Sequence, residues 1–253
     1  MSKQAAIVTV RNNSSRLPQK VLAPITNNDV SLDIVIRRAQ LIGVPVIVAT
    51  SSDSSDDTIE SLVKNHHDVT CFRGALQNKI IRWRDCFKAF DLESAVLVDG
   101  DDLLYGYEIS QRALYSLKQP GAEIIIAPNE IICGYFTYGV TKKGLDKLAA
   151  IANHPQQDTD VITQFISTAD LNIEYVKIEL HEGEHPFRLT LDYPEDLAFF
   201  RKVFRELPIC ATTQEATTFL INNPDLVEIN AHRHQDYLKN QKQFNDKIKE
   251  QYD

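Results

Sequence analysis

Five short apolar runs separated by helix-patterned stretches fill the first half of this 253-residue chain, and they restrict its fold more than any other feature. The runs are 5–10 (AAIVTV), 44–50 (VPVIVAT), 69–72, 95–98 and 123–127. They are β-branched and largely uninterrupted by polar residues, which is the pattern of strands covered on both faces. Between them, 31–41, 56–64, 78–90 and 107–117 carry apolar residues at helical spacing, such as Leu32, Val35, Ile36 and Ala39 in the first. Strands alternating with helices predict an α/β fold with a parallel, doubly wound sheet. Ligands of such sheets sit beyond the carboxyl ends of the strands. The polar loops after the first and fourth runs fall at that edge.

The rhythm changes after residue 129. Residues 135–140, 173–180 and 187–191 read as strands, and 141–151 and 160–167 as helices. Asp192-Tyr193-Pro194-Glu195-Asp196 opens another helix to about residue 205, with Pro194 suited to the first turn. In the tail, Tyr237, Gln241, Phe244, Ile248 and Tyr252 stand at helical spacing. We expect a domain over 1–206, with 129–186 as an inserted α+β subdomain for acceptor binding or dimerisation, and a helical extension over 207–253.

Formal net charge is -8, which argues against a nucleic-acid binder with its basic face. No apolar run reaches the roughly 20 residues that span a bilayer. Met1 to Gln4 lack the basic region of a signal peptide, so a cytoplasmic protein without membrane partners is expected. Cys71, Cys86, Cys133 and Cys210 fit no zinc spacing and read as buried thiols.

Three segments can carry chemistry. Arg11, Ser14, Ser15, Arg16 and Lys20 share one loop after a buried strand. Arginine forks and a mobile lysine suit a triphosphate, though a solvated surface loop has the same composition. The Walker motif GxxxxGK[ST] is absent. Asp99-Gly100-Asp101-Asp102 follows the fourth strand. Its carboxylates can hold Mg²⁺ and Gly100 can admit a ligand, or the segment can be a plain turn. Asp192 can cap a helix or supply a second carboxylate to the same metal, while Glu195 and Asp196 read as first-turn charges. Elsewhere, His181 and His185 in HEGEHPF make a weak metal candidate on a loop. Trp83 and Phe87 read as core, and Asp158 and Asp160 as a helix start.

Together these segments resemble the CMP-sugar synthetase-like nucleotidyltransferases, in particular the spore coat polysaccharide biosynthesis protein F-like branch. RNNSSRLPQKVLAPI, VATSSDSSDDTI, CFRGA, LVDGDD and RLTLDYPEDLAFFRKVF follow in that family's order, and NNPDLVEIN comes after. The resemblance spans residue 5 to about 230. It implies a Rossmann-like, glycosyltransferase-A-like, mostly parallel sheet that binds a nucleoside triphosphate, usually CTP, with Mg²⁺. By matching positions, Arg11, Ser14, Ser15, Arg16 and Lys20 contact phosphates or base. Thr50, Ser51, Arg73 and Asp99 lie near the nucleotide, and Asp101 and Asp192 bind the metal. Arg16, Lys20 and Asp101 are the catalytic set, and a homodimer is implied.

The chain departs from the family pattern in places. Gln19 replaces a common glycine, and Asn12-Asn13 replace a Met-Gly pair. Leu103 stands where a proline is usual, and Leu104, Tyr105 and Gly106 fill a stretch that commonly holds an aspartate. The expected reaction is attack of an anionic, sugar-like acceptor on the α-phosphorus, with pyrophosphate leaving. The alternatives are a glycosyltransferase of the same architecture and a catalytically silent nucleotide-binding relative.

Overall fold

The computed structural model describes residues 3–12, 16–236 and 239. Seven strands form one sheet in the order β3-β2-β1-β4-β6-β5-β7. They are β1 (Gln4–Thr9), β2 (Val46–Ser51), β3 (Val69–Gly74), β4 (Ser94–Asp99), β5 (Ile124–Ile126), β6 (Tyr138–Thr141) and β7 (Ile173–Tyr175). The first four pair in parallel, with Thr9 beside both Ala49 and Asp99. β6 runs antiparallel to β4 and β5, and β7 is parallel to β5. The sheet is therefore mostly parallel, as the alternation of apolar runs and helices predicts. β6 and β7, from the segment read as an insertion, take places in this same sheet.

Both faces of the central strands are apolar, and the two-residue period divides them. Ala6, Val8, Val46, Val48, Val96 and Val98 face one layer. It is built from α1 (Ser31–Gln40), α2 (Asp57–Val63), α4 (Tyr107–Ser116), α7 (Pro194–Glu206) and α8 (Thr213–Asn222). Ala5, Ile7, Ile47, Ala49, Ala95 and Leu97 face α3 (Lys79–Phe90), α5 (Lys142–Ile151) and α6 (Thr163–Thr168). Trp83 and Phe87 lie in this second core as expected, and the Trp83 indole N–H donates to Thr9 Oγ1 at 2.7 Å. Burying a whole aromatic or aliphatic side chain contributes about 1.5–3 kcal/mol, so this double layer holds the strand ends rigidly. α9 (Pro224–Val227) follows, and residues 233–236 are also helical.

Several local expectations are corrected. Residues 187–191 are not a strand. They run extended, with one bridge between Arg188 and Cys133, and their amides reach Cys133 O and Asp101 O instead of a ladder. β7 stops at Tyr175, and residues 180–182 form a single 3₁₀ turn. α6 starts at Thr163, so Asp160 does not open it. The thiols are free, but only Cys86 is buried, and Cys210 is exposed. The tail positions Tyr237, Gln241, Phe244, Ile248 and Tyr252 lie outside the described residues. Among the described residues, no helix is long and apolar enough to cross a membrane.

Candidate active site

Three chain segments converge at the carboxyl ends of β1 and β4, where the strand order reverses and crevices form in open sheets. The first is the loop after β1. It ends in a 3₁₀ turn, Lys20–Leu22, entered through Gln19 at φ 55°. That left-handed conformation is the one a glycine takes at least cost, which accounts for the family's preference at this position. The turn aims Lys20 across the cleft.

The second segment follows β4. Gly100 donates to Thr9 O at 2.9 Å, and a Cβ at Gly100 would lie 2.9 Å from Val10 Cβ. The glycine thus lets β4 close against β1, rather than opening the backbone to a ligand. Asp99 and Asp101 then flank the cleft, while Asp102 turns inward and is buried. The third segment is the extended stretch before α7. Leu191 N donates to Asp101 O at 2.8 Å, and this single bond sets Asp192 beside Asp101.

The resulting geometry is a charge cluster. Lys20 Nζ lies 2.5 Å from Asp101 Oδ2 and 2.9 Å from Asp192 Oδ1. Arg16 reaches the same Asp192 oxygen at 2.7 Å, and Arg188 holds the other at 3.0 Å. Burial disfavours ionisation of Asp192, yet Lys20, Arg16 and Arg188 together hold its carboxyl below the ordinary range. Burial likewise opposes the Lys20 charge, and Asp101 and Asp192 more than offset it, so the ammonium persists above its ordinary range. Asp102 is pushed the other way, well upward, by burial and by the charges of Asp101 and Asp99. Burial also raises Asp99, with Asp101 adding to it and Lys79 opposing.

Behind Asp192 stands a support that charge alone did not reveal. Asp196 lies in the first turn of α7, as read, but it is fully buried. It accepts from Arg188 Nε at 3.0 Å, from the amides of Asp192 and Tyr193 at 2.8 and 2.9 Å, and from Asn230 at 2.9 Å. Arg188 and Asp196 belong to the same quoted motif, RLTLDYPED. Their pairing across eight residues follows from the turn into α7 and carries no periodic signature.

The remaining candidates have defined places. Arg11 pairs with Asp160 at 2.5 Å on the α3 side of the loop, so Asp160 serves the loop rather than a helix start. Thr50 and Ser51 are buried at the end of β2, and both hydroxyls donate to Asp56 Oδ2. Asp56 Oδ1 accepts from Asn12 N at 2.7 Å, tying β2 to the loop after β1. Arg73, at the end of β3, is held by Ser51 O, Asp53 O, Asp57 and Glu60. The structure thus joins Arg16, Lys20, Asp101 and Asp192 directly, while Thr50, Ser51 and Arg73 brace the neighbouring rim. Ser14 and Ser15 lie outside the described residues. His181 hydrogen-bonds Thr213 at 3.1 Å and His185 stacks on Phe187, and neither enters the cluster.

A basic loop facing two carboxylates at the switch point of such a sheet defines a protein of the nucleotidyltransferase class. Residues 5–222 match the cytidylyltransferase family, and the chain belongs to it. The chain is 24% identical to the spore coat polysaccharide biosynthesis protein SpsF of Bacillus subtilis (strain 168) over 234 residues, 87% of this chain and 94% of that protein. A cytidylyltransferase structure from Leptospira borgpetersenii serovar Hardjo-bovis (strain JB197) superposes with a TM-score of 0.80 at 22% identity, covering 90% of this chain and 97% of that one. A CMP:2-keto-3-deoxy-manno-octonic acid synthetase complexed with CTP shares the fold with a TM-score of 0.61 at 16% identity, over 81% and 99% of the two chains. Family membership favours nucleotidyl transfer over the glycosyltransferase alternative.

Proposed function

We propose that the chain transfers CMP from CTP to an anionic, sugar-like acceptor and releases pyrophosphate. The observation that carries this reading is the junction of Lys20 with both Asp101 and Asp192. It places two carboxylates around one cation position, directly beside the loop cation Arg16. The structurally similar synthetase complexed with CTP and the relative's part in polysaccharide biosynthesis support the nucleotide and the acceptor class.

The donor set fits Mg²⁺. Two carboxylate oxygens already converge on one cation, and Mg²⁺ is commonly held by one or two carboxylates together with substrate phosphates and water. Among the described residues there is no cluster of three or more His, Cys, Asp or Glu suited to a metal, which agrees with a site completed by the nucleotide. A protein of the same fold, Rv0371C from Mycobacterium tuberculosis H37Rv, is known as a manganese complex (TM-score 0.55, 11% identity). Asp101 and Asp192 would hold the ion, which when bound supplies charge neutralisation at the phosphate oxygens.

The chain's own residues do the rest by position and charge. Arg16, its guanidinium 5.5 Å from the Tyr193 ring centre, forks toward phosphate oxygens. Lys20 and Arg16 neutralise the pyrophosphate as its bond to the α-phosphorus breaks and the acceptor oxygen bonds in its place. Arg188 keeps Asp192 ionised and oriented from behind.

The test is a pyrophosphate-release screen of CTP, UTP, GTP and ATP against a panel of sugar acids, sugar phosphates and phosphonates. Release with CTP and one anionic acceptor is expected. Release with no pair, together with transfer from a nucleotide-sugar, would sink the proposal.

The assembly we propose is a homodimer through residues 129–186. β7 is the outer strand of the sheet, and Ile173, Tyr175 and Leu180 are exposed along that side. Exposed strand edges are templates for pairing with a second chain. Light scattering at micromolar concentration should give twice the mass of one chain. A single-chain mass refutes the dimer.

A further inference from the structure

Two buried polar atoms at the rim over β1, β2 and β3 have no hydrogen-bond partner. One is the Nε donor of Arg82, a residue only 3% exposed in the first turns of α3. The other is the Oδ1 acceptor of Asn12, in the loop after β1. Nearly all buried polar atoms in folded proteins are paired, so an orphaned donor and an orphaned acceptor at the same rim call for a ligand that supplies both partners.

Each atom is fixed in its role. Asn12 N donates to Asp56, and Asn12 Nδ2 donates to Ser55 O at 3.1 Å. Exchanging the amide's oxygen and nitrogen would set oxygen against that carbonyl, so Oδ1 must remain the free acceptor. The Arg82 stem packs closely on the end of β3: a Cβ at Gly74 would lie 3.0 Å from Arg82 Cγ, so a larger residue there would push on the stem. Arg82 NH1 donates to Ala75 O at 3.3 Å. Burial, and then the charge of Arg11, lower the guanidinium to about 10, while Asp56 and Asp160 oppose that fall. Arg11 adjoins Asn12 in sequence, and Asp56 binds the Asn12 amide. Electrostatics and hydrogen bonding therefore tie Arg82 and Asn12 to one neighbourhood.

We propose that Asn12 and Arg82 read the base of the nucleotide and make the site prefer cytosine. This rests on the proposed transfer from CTP. The exocyclic amine of cytosine donates to Asn12 Oδ1, and the ring acceptors N3 and O2 receive Arg82. Uracil would turn a carbonyl toward Asn12 Oδ1 and an N–H toward Arg82, leaving both buried groups opposed instead of paired. A site built on buried polar groups rejects a ligand that leaves them unpaired. Asn12 stands where the family pattern has methionine, so this acceptor is a property of this chain rather than of the pattern.

The experiment is calorimetric titration with magnesium and three triphosphates: CTP, UTP, and pyrimidin-2-one riboside triphosphate, which is CTP without its amine. No acceptor is needed. The wild-type protein should bind CTP at least about tenfold more tightly than the other two, the scale of one buried hydrogen bond. Asn12→Ala should bind all three within about threefold of one another, and Arg82→Met should weaken CTP by about tenfold. Thermal melts identify any variant that fails to fold. If Arg82→Met does, the Asn12 comparison decides alone. Asn12→Ala that keeps the wild-type preference, or a folded Arg82→Met that binds CTP normally, overturns the base assignment and leaves the CTP reading intact. A wild-type protein that binds UTP as tightly as CTP overturns the base assignment, and one that binds none of the three overturns the CTP reading as well.

Discussion

Asp101→Asn and Asp192→Asn should each lower the turnover of pyrophosphate release by at least about a hundredfold, or ~2.7 kcal/mol of transition-state stabilisation. Asparagine keeps the shape and one acceptor oxygen but removes the formal charge on which Lys20 and the proposed metal depend. The two variants should then separate in stability. Asp101 is a cleft residue whose side chain is partly open to solvent and pairs with Lys20. Its replacement should leave the melt nearly unchanged. Asp192 is only 2% exposed and accepts from Lys20, Arg16 and Arg188. Its replacement sets an amide NH₂ against either Arg188 or the Lys20–Arg16 pair and removes the charge facing all three cations, and should cost about 2–4 kcal/mol as well as turnover. Steady-state rates at saturating Mg²⁺, beside thermal melts, decide the matter. Wild-type rates in both variants would remove the metal assignment and leave the basic loop as the only catalytic feature.

The parts of the fold that depend on local pattern were legible. An uninterrupted apolar run marks a strand buried on both faces, and the alternation with amphipathic helices leaves a doubly wound sheet as the natural packing. Residues 187–191 broke this logic. They have strand composition because their side chains are buried, but their backbone groups bond to Cys133 O, Asp101 O and Asn230 rather than to a ladder. Helix α8, inside the stretch expected as a helical extension, had a readable start, since Thr212 and Glu215 form a capping box in which each side chain receives the other's backbone amide. In the site, Arg16, Lys20 and Asp101 were visible as charges in polar segments that follow buried strands, and Asp192 as an acid before a helix. Asp56 stood in the sequence only as the first residue of the helix-patterned stretch 56–64. Its true partners, Asn12, Thr50 and Ser51, become visible only when β1 and β2 lie side by side. Arg82 was hidden inside a helix whose apolar stripe supplied its apparent purpose.

Asp196 shows how little a reading from charge alone reveals of burial, and its replacement should produce a large loss of stability. A solvent-facing acid at a helix start would contribute only about 0.3–1 kcal/mol through the helix dipole. In the structure Asp196 is fully buried and collects hydrogen bonds from Arg188, Asn230 and the amides of Asp192 and Tyr193. Arg188 is itself 1% exposed. Removing one member of a buried, hydrogen-bonded ion pair leaves the other charge uncompensated, which costs about 3–5 kcal/mol. Asp196→Ala also strands two amides at the start of α7 and the Asn230 side chain. A loss of about 3–5 kcal/mol is a large share of the roughly 5–15 kcal/mol that holds a typical domain. At about 2–4 °C per kcal/mol for a chain of this size, the melt should fall by about 6–20 °C. Asn230→Ala removes one of these donors, along with its bond to Arg188 O, and should cost about 1–2 kcal/mol. Because Arg188 also orients Asp192, any Asp196→Ala protein that folds at low temperature should lose turnover too, with its KM for CTP less affected than its kcat. The measurement is a thermal melt with kinetics taken below the transition. A melt within about 2 °C of wild type would show that Arg188 is adequately paired by Asp192 alone, and that the buried network behind the site contributes little.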